Sequence, residues 1–273
     1  MRKLLFFILL LLPFGALAHE ADSLALEVSA DTLVAERPLR ERDIRADSLT
    51  LARDEHFKWT TLIAPSVMLG LGFTGVYAPW WKENINIPVR EWTASWRGDH
   101  RFHADDYVQY LPAATNVLLG FAVPHERPFR ERVAVTATAS ITLVILSRTL
   151  KYTVGEKRPS SDSRTSFPSG HTATAFMGAE LMRREYGPWW GLGAYAVATT
   201  VAFLRVYNDR HWVNDLLGGA AIGILSANVG YWMLPLERRL FGWDKPSSSG
   251  ITAAVVLPYY CNNNFGVSLA VLF

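Results

Sequence analysis

Three short stretches of the chain hold the side chains best suited to chemistry. Lys151 is followed after six residues by Arg158-Pro159, and Pro168-Ser169-Gly170-His171 comes soon after. Arg205 is followed after five residues by His211, and after three more by Asp215. Together they supply three cations, two imidazoles and a carboxylate. Breaking a phosphate ester requires stabilised charge on the equatorial oxygens, an in-line nucleophile and a proton for the leaving oxygen. Lys151, Arg158 and Arg205 can cover the oxygens, the arginines as planar forks and the lysine as a mobile point charge. Ser169 and Gly170 precede a helical-looking run, Thr172 to Leu181. Free N–H groups at a helix start bind anions, and glycine lets a phosphate come close to the backbone.

His211 and Asp215 are four apart. If the chain is helical from Trp212 onward, they share a face, and Asp215 can hold one ring nitrogen while the other attacks. His171 is then the general acid, a role that suits imidazole near neutral pH. Every proposed charge is a side chain, so the expected chemistry uses neither a metal nor a cofactor. Taken singly, each stretch has a plain reading: a capping pair, a turn, or interfacial anchors beside an apolar run. Their order, each at the end of an apolar segment, favours phosphate chemistry.

At Lys151, Arg158, Pro159, Pro168, Ser169, Gly170, His171, Arg205, His211 and Asp215 the chain resembles the type 2 phosphatidic acid phosphatase family. That family also includes the vanadium haloperoxidases and the bacterial class A acid phosphatases. The resemblance spans roughly Asp105 to Leu236. It implies an all-helical core, a phosphohistidine intermediate on His211, His171 as acid and a metal-independent mechanism. Two departures stand out. Leu204 occupies a position where the family usually has serine before the arginine. The stretch from Ser160 to Phe167 is shorter than is typical, which leaves little room for a lid and favours an open, membrane-facing mouth.

The elements that must position these residues are apolar. Half of the 273 residues are hydrophobic, and the net charge is +2. No basic field for nucleic acid exists, so the expected partners are a lipid phosphate and a membrane. The fold expected is all-α, a bundle of about six apolar helices, embedded in a membrane, with a small C-terminal β-hairpin. The segments run roughly Thr61 to Trp81, Tyr107 to Val123, Val133 to Leu150, Thr172 to Met182, Trp189 to Leu204 and Leu216 to Leu234. Most are rich in Ala, Gly and Thr, which suits close helix packing in lipid. Several are near the minimum length for a span. Aromatic pairs such as Trp80-Trp81 and Trp189-Trp190 lie near segment ends.

Residues 1–18 read as a secretory leader, with Arg2-Lys3, the apolar run Leu4 to Leu12 and Ala16-Leu17-Ala18. Residues 19–58 form a polar tether that repeats Ala-Asp-Ser/Thr-Leu at 21–24, 30–33 and 46–49. Residues 59–240 are the helical phosphatase domain. Residues 247–273 begin with a Ser247-Ser248-Ser249-Gly250 linker and then alternate like two strands. Cys261 is the lone cysteine, so no intrachain disulfide forms.

Arg127, Arg130 and Arg132 lie between segments two and three, Arg183-Arg184 between four and five, and Arg238-Arg239 after six. The positive-inside rule places them in the cytoplasm and the three stretches on the periplasmic side of an inner membrane. A cleaved leader conflicts with this if segment one also spans, because Lys151 then falls in the cytoplasm. An interfacial or re-entrant segment one, a leader that does not direct export, or a soluble periplasmic helical protein would each resolve it. In the loop from Gly98 to Asp106, histidine and aspartate cluster, but the spacing matches no metal motif. Asp105 and Asp106 read instead as caps of segment two.

The leading functional expectation is a periplasm-facing phosphatase of lipid phosphates or pyrophosphates, of the lipid A or undecaprenyl pyrophosphate class. The alternatives are a soluble nonspecific acid phosphatase, a haloperoxidase, and a non-enzymatic envelope tether built on the tether and hairpin.

Overall fold

The computed structural model describes residues 57–122, 127–243, 253–261 and 264–272. The leader, the tether as far as residue 56 and the Ser247–Gly250 linker lie outside the described residues. The described chain is mostly helical. It divides into two units, one ending at Leu234 and the other covering Pro235–Phe273.

A 3-10 turn, Trp59–Leu62, leads into α1, Ile63–Tyr77. Extended backbone at Ala78 (φ −92°, ψ 113°) ends α1, and Pro79 restarts a short turn. Segment one is therefore not one continuous helix as far as Trp81. A π-helical turn, Lys82–Asn86, then runs into α2, Ile87–Arg97, a helix the apolar pattern did not announce. Segment two also breaks, into a short α3, Asp105–Val108, and α4, Leu111–Ala122.

The rest of the first unit is made of long helices. α5, Phe129–Val154, ends at Gly155, whose left-handed backbone (φ 64°) a β-carbon would disfavour. α6, Gly170–Tyr186, starts on the Ser169 cap. α7, Pro188–Tyr207, opens with proline in its first turn, where no N–H is needed. α8, Val213–Phe241, lies in the first unit as far as Leu234 and contains Pro235, where the second unit starts. Phe176 and Tyr195 meet edge-on at 5.7 Å between α6 and α7, and Tyr195 donates to Glu180 at 2.7 Å. The core around them holds Ala179, Ala198, Val201, Ala202, Leu216, Leu217 and Ala220.

Small residues let α8 approach α6 closely. A β-carbon on Gly219 would stand 2.5 Å from the Ser169 carbonyl oxygen, and one on Gly223 would strike the Ala173 carbonyl. Phe167 fills the space over Gly218 and packs on Phe73 of α1 at 5.2 Å.

By length and composition, Trp59–Tyr77, Phe129–Val154 and Val213–Phe241 are candidate membrane spans. Only 22% of the apolar window is buried in each of the first two, against 78% in the third. The first two therefore turn apolar side chains outward, as helices facing lipid do. In the second unit, β1 (Ala253–Cys261) pairs antiparallel with β2 (Asn264–Leu272), from Ala253 opposite Leu272 to Cys261 opposite Asn264.

Candidate functional site

The turn between α7 and α8 places Arg205 and His211. Asn208 ends α7, and Asp209 takes a left-handed backbone (φ 59°), a conformation that aspartate and asparagine tolerate best after glycine. Arg90 of α2 grips the Asp209 carboxylate with two bonds, 2.7 and 3.1 Å. The Asn208 side chain accepts from Phe102 N–H at 3.0 Å and donates to the Phe102 carbonyl at 2.8 Å. Arg97 donates to the Tyr207 carbonyl and Arg101 to that of Asn208. The amphipathic α2 and the loop after it thus brace the turn.

His211 lies outside α8, which begins at Val213. The pair does not share a helical face; Asp215, in the first helical turn, reaches back. Its Oδ2 accepts from His211 Nδ1 at 3.1 Å, Trp212 N–H at 2.8 Å and Ser166 Oγ at 2.5 Å. The Trp212 bond is that of a capping box, in which a first-turn acid satisfies the backbone donor ahead of the helix. A neutral His211 donating through Nδ1 keeps its lone pair on Nε2. Burial pushes the His211 pKa down to about 4 despite the hydrogen bond to Asp215, and Arg205 and Lys151 push the same way. The ring is therefore neutral at ordinary pH.

The second stretch is bound to the third. Ser169 N–H donates to the Asp215 carbonyl at 3.0 Å, while Ser169 Oγ accepts from Thr172 N–H and caps α6. Open space lies over Gly170, with nothing within 4 Å of where a β-carbon would stand. The first stretch closes on the second: Lys151 Nζ donates to the carbonyls of Thr165 (3.0 Å) and Pro168 (2.7 Å). Lys151, Arg158 and Arg205 are near enough to act electrostatically on one another, and Lys151 and Arg158 on Asp215. The Nε groups of Arg158 and Arg205 are buried and meet no acceptor among the described residues. All eight residues singled out in the sequence therefore converge at one end of the helices.

Asp105 and Asp106 do not cap segment two. Ala104 is the N-cap of α3 and makes no side-chain cap. Asp105 is fully buried and binds Arg205 Nη1 at 2.5 Å and Asn208 Nδ2 at 3.1 Å. Asp106 Oδ1 stands 2.9 Å from His171 Nε2 and 3.5 Å from Arg205 Nη1. The hydrogen bond to His171 holds Asp106 below the usual carboxylate range. Burial, with help from Arg205, lowers His171 below the ordinary imidazole value, and Asp106 opposes the shift. Asp105, Asp106 and His171 offer ligand atoms within 4.8 Å of one another. Arg205 at both carboxylates makes that trio a poor cation site.

Residues 132–239 match the family model described as PAP2 superfamily. Over this segment the chain is similar to the PAP2 superfamily. Among its relatives is the lipid A 1-phosphatase of Porphyromonas gingivalis, 34% identical over 161 residues, or 57% of this chain and 36% of that protein. The chain thus spans little more than a third of that relative's length. The putative undecaprenyl-diphosphatase YbjG of Escherichia coli is 27% identical over 52% of this chain and 78% of its own. The E. coli lipid A 1-diphosphate synthase is 26% identical over 51% and 68%. A crystal structure of LpxE from Aquifex aeolicus superposes on 53% of this chain and 93% of its own, with 21% identity and a TM-score of 0.42.

The PAP2 segment contains all eight converging residues but neither Asp105 nor Asp106. In the sequence both aspartates read as caps, and Glu156, Ser166 and Asn214 are not singled out. Their local pattern does not mark these contacts, because the partners lie far away in the chain.

Proposed function

We propose that this protein is a metal-independent phosphatase of lipid phosphates or pyrophosphates, acting through a phosphohistidine. The observation that carries this reading is a neutral, buried His211 oriented by Asp215 beside Lys151, Arg158 and Arg205. His211 Nε2 attacks phosphorus while the bond to the leaving oxygen breaks. His171 gives that oxygen its proton, then takes one from the water that attacks the phosphohistidine and frees phosphate. Because Nε2 of His171 faces Asp106, the leaving oxygen takes Asp106's place or reaches Nδ1. The three cations, with the Ser169–Gly170 backbone at the α6 start, hold the equatorial oxygens.

The lipid setting is supported by the outward apolar faces of α1 and α5 and by the names of the relatives. A membrane-embedded bundle of about six apolar helices, with the hairpin as a separate element, belongs to the same reading. So does a periplasmic active site in the bacterial inner membrane. Arg130 and Arg132 sit at the start of α5 and Lys151 near its end; Arg183 and Arg184 end α6 and His171 begins it. The positive-inside rule then directs the site away from the cytoplasm.

Phosphate release by detergent-purified protein in EDTA tests this, with lipid A, undecaprenyl pyrophosphate, phosphatidate and a small soluble ester as substrates. Preference for one lipid is expected. Turnover mainly of the soluble ester would move the protein to the acid-phosphatase class, and release from none would remove the phosphatase reading. The relationship to a lipid A diphosphate synthase favours one further arm, in which labelled pyrophosphate lipid tests transfer to lipid A instead of water.

A further inference from the structure

Behind the His211–Asp215 pair lies a second carboxyl group that the mechanism above does not use. Gly155 turns the chain at the end of α5, and the half-buried Glu156 follows it. The Glu156 carbonyl accepts from Ser166 N–H at 3.0 Å, which closes the loop between the first and second stretches. Ser166 Oγ then donates to Asp215 Oδ2. The Glu156 carboxyl oxygens face Asn214 Nδ2 at 3.1 and 2.9 Å, and Asn214 Oδ1 accepts from the buried Asn86 Nδ2 at 2.7 Å. Gly75 of α1 packs against Asn214 so closely that a β-carbon there would overlap it.

Asp215 Oδ2 already receives three donors, but Asp215 Oδ1 is buried and has none among the described residues. A buried acceptor without a donor is costly and calls for an explanation. The adjacent group within hydrogen-bonding reach is the Glu156 carboxyl. We infer that Glu156 is a positioning residue that carries a proton and donates it to Asp215 Oδ1, so that the two carboxyls share one negative charge behind His211.

Two ionised carboxylates in contact, one fully buried and one half-buried, repel strongly, and one keeps its proton. Glu156 is the one to keep it. Burial and the Asp215 charge raise its pKa well above the usual carboxylate range; the Asn214 hydrogen bond and the Lys82 charge oppose this. Asp215 holds His211 and lies within electrostatic range of Lys151 and Arg158, so it is the better placed to stay ionised. Sharing the charge makes Asp215 a weaker base, so the His211 proton stays on Nδ1 as the phosphohistidine forms.

The inference rests on His211 as nucleophile, and its test separates the two. Glu156→Gln can donate an amide N–H to Asp215 and accept from Asn214 through its carbonyl; Glu156→Ala can do neither. Infrared spectra of the full chain in detergent at neutral pH should show a protonated-carboxyl stretch that Glu156→Gln lacks. That readout needs no substrate. On the lipid phosphate turned over fastest, Glu156→Ala should lower kcat about tenfold or more, and Glu156→Gln should recover most of the loss, as expected for one buried hydrogen bond. An ionised Glu156 in the infrared, or equal activity of both variants, would overturn the inference. If the protonated band is present but His211→Ala is fully active, the nucleophile assignment fails and the shared proton stands.

Discussion

Asp106 holds Nε2 of His171 at 2.9 Å, and the same carboxylate reaches Arg205 3.5 Å away. One exposed acid thus bridges the proposed general acid and a proposed phosphate-binding cation. It lies upstream of the PAP2 segment and on another helix.

This bridge gives a pH prediction. Asp106 raises the His171 pKa, while burial and Arg205 lower it. An acid catalyst must be protonated, so activity falls as pH rises through the His171 value. Asp106→Asn removes the raising contribution, and the alkaline limb of kcat/KM should move to lower pH by about half a unit or more. A limb that stays in place would show that the contact does not govern the acid.

The acid side belongs to His211. Its folded pKa of about 4 lies below the ordinary 6.5. Between these values the unfolded chain binds more protons than the folded one, so stability falls as pH falls through that window. His211→Gln should flatten the decline of melting temperature between pH 6.5 and 4. The nucleophile stays neutral above about 4, which predicts an acidic optimum bounded above by His171.

His211→Ala should abolish phosphate release, and Asp215→Asn should lower kcat by about 10³–10⁴, the scale for losing an orienting carboxylate. Rapid quench with labelled substrate checks this: acid-labile label should appear on the parent protein and not on His211→Ala. Label retained on that variant would assign the nucleophile elsewhere.

EDTA should leave turnover intact, since every proposed charge is a side chain. Vanadate should compete with substrate as a five-coordinate mimic held by Lys151, Arg158 and Arg205. Inhibition by EDTA that a divalent cation reverses would count against the mechanism.

Gly223→Ala should destabilise the bundle by about 1–3 kcal/mol, because the new methyl meets the Ala173 backbone. Melting in detergent reads the loss. Gly193→Ala, whose methyl enters open space, is the control and should change stability little.

Which residues gather was legible because phosphate chemistry limits the residue types and helix ends limit their spacing. Lys151, His171, Arg205 and Asp215 sit in the last or first turns of apolar helices, and apolar runs are easily read. The carboxylates were not legible. Asp105 and Asp106 look like helix-start acids, and only the fold brings Arg205 and His171 to them across 100 and 65 positions. Glu156 stands inside the first stretch but looks like any polar loop residue until Asp215 is beside it. The helix Ile87–Arg97 was missed because its contacts, Trp96 on Phe203 and Tyr207, lie on a distant helix.

The outward apolar faces of α1 and α5 bear on kinetics as well as on placement. In the proposed setting, enzyme and substrate share one thin sheet of solvent and meet by lateral diffusion. Bulk molarity then loses its meaning for KM. The rate should follow the mole fraction of lipid phosphate in the bilayer or micelle, and adding inert detergent at constant substrate should slow turnover by surface dilution.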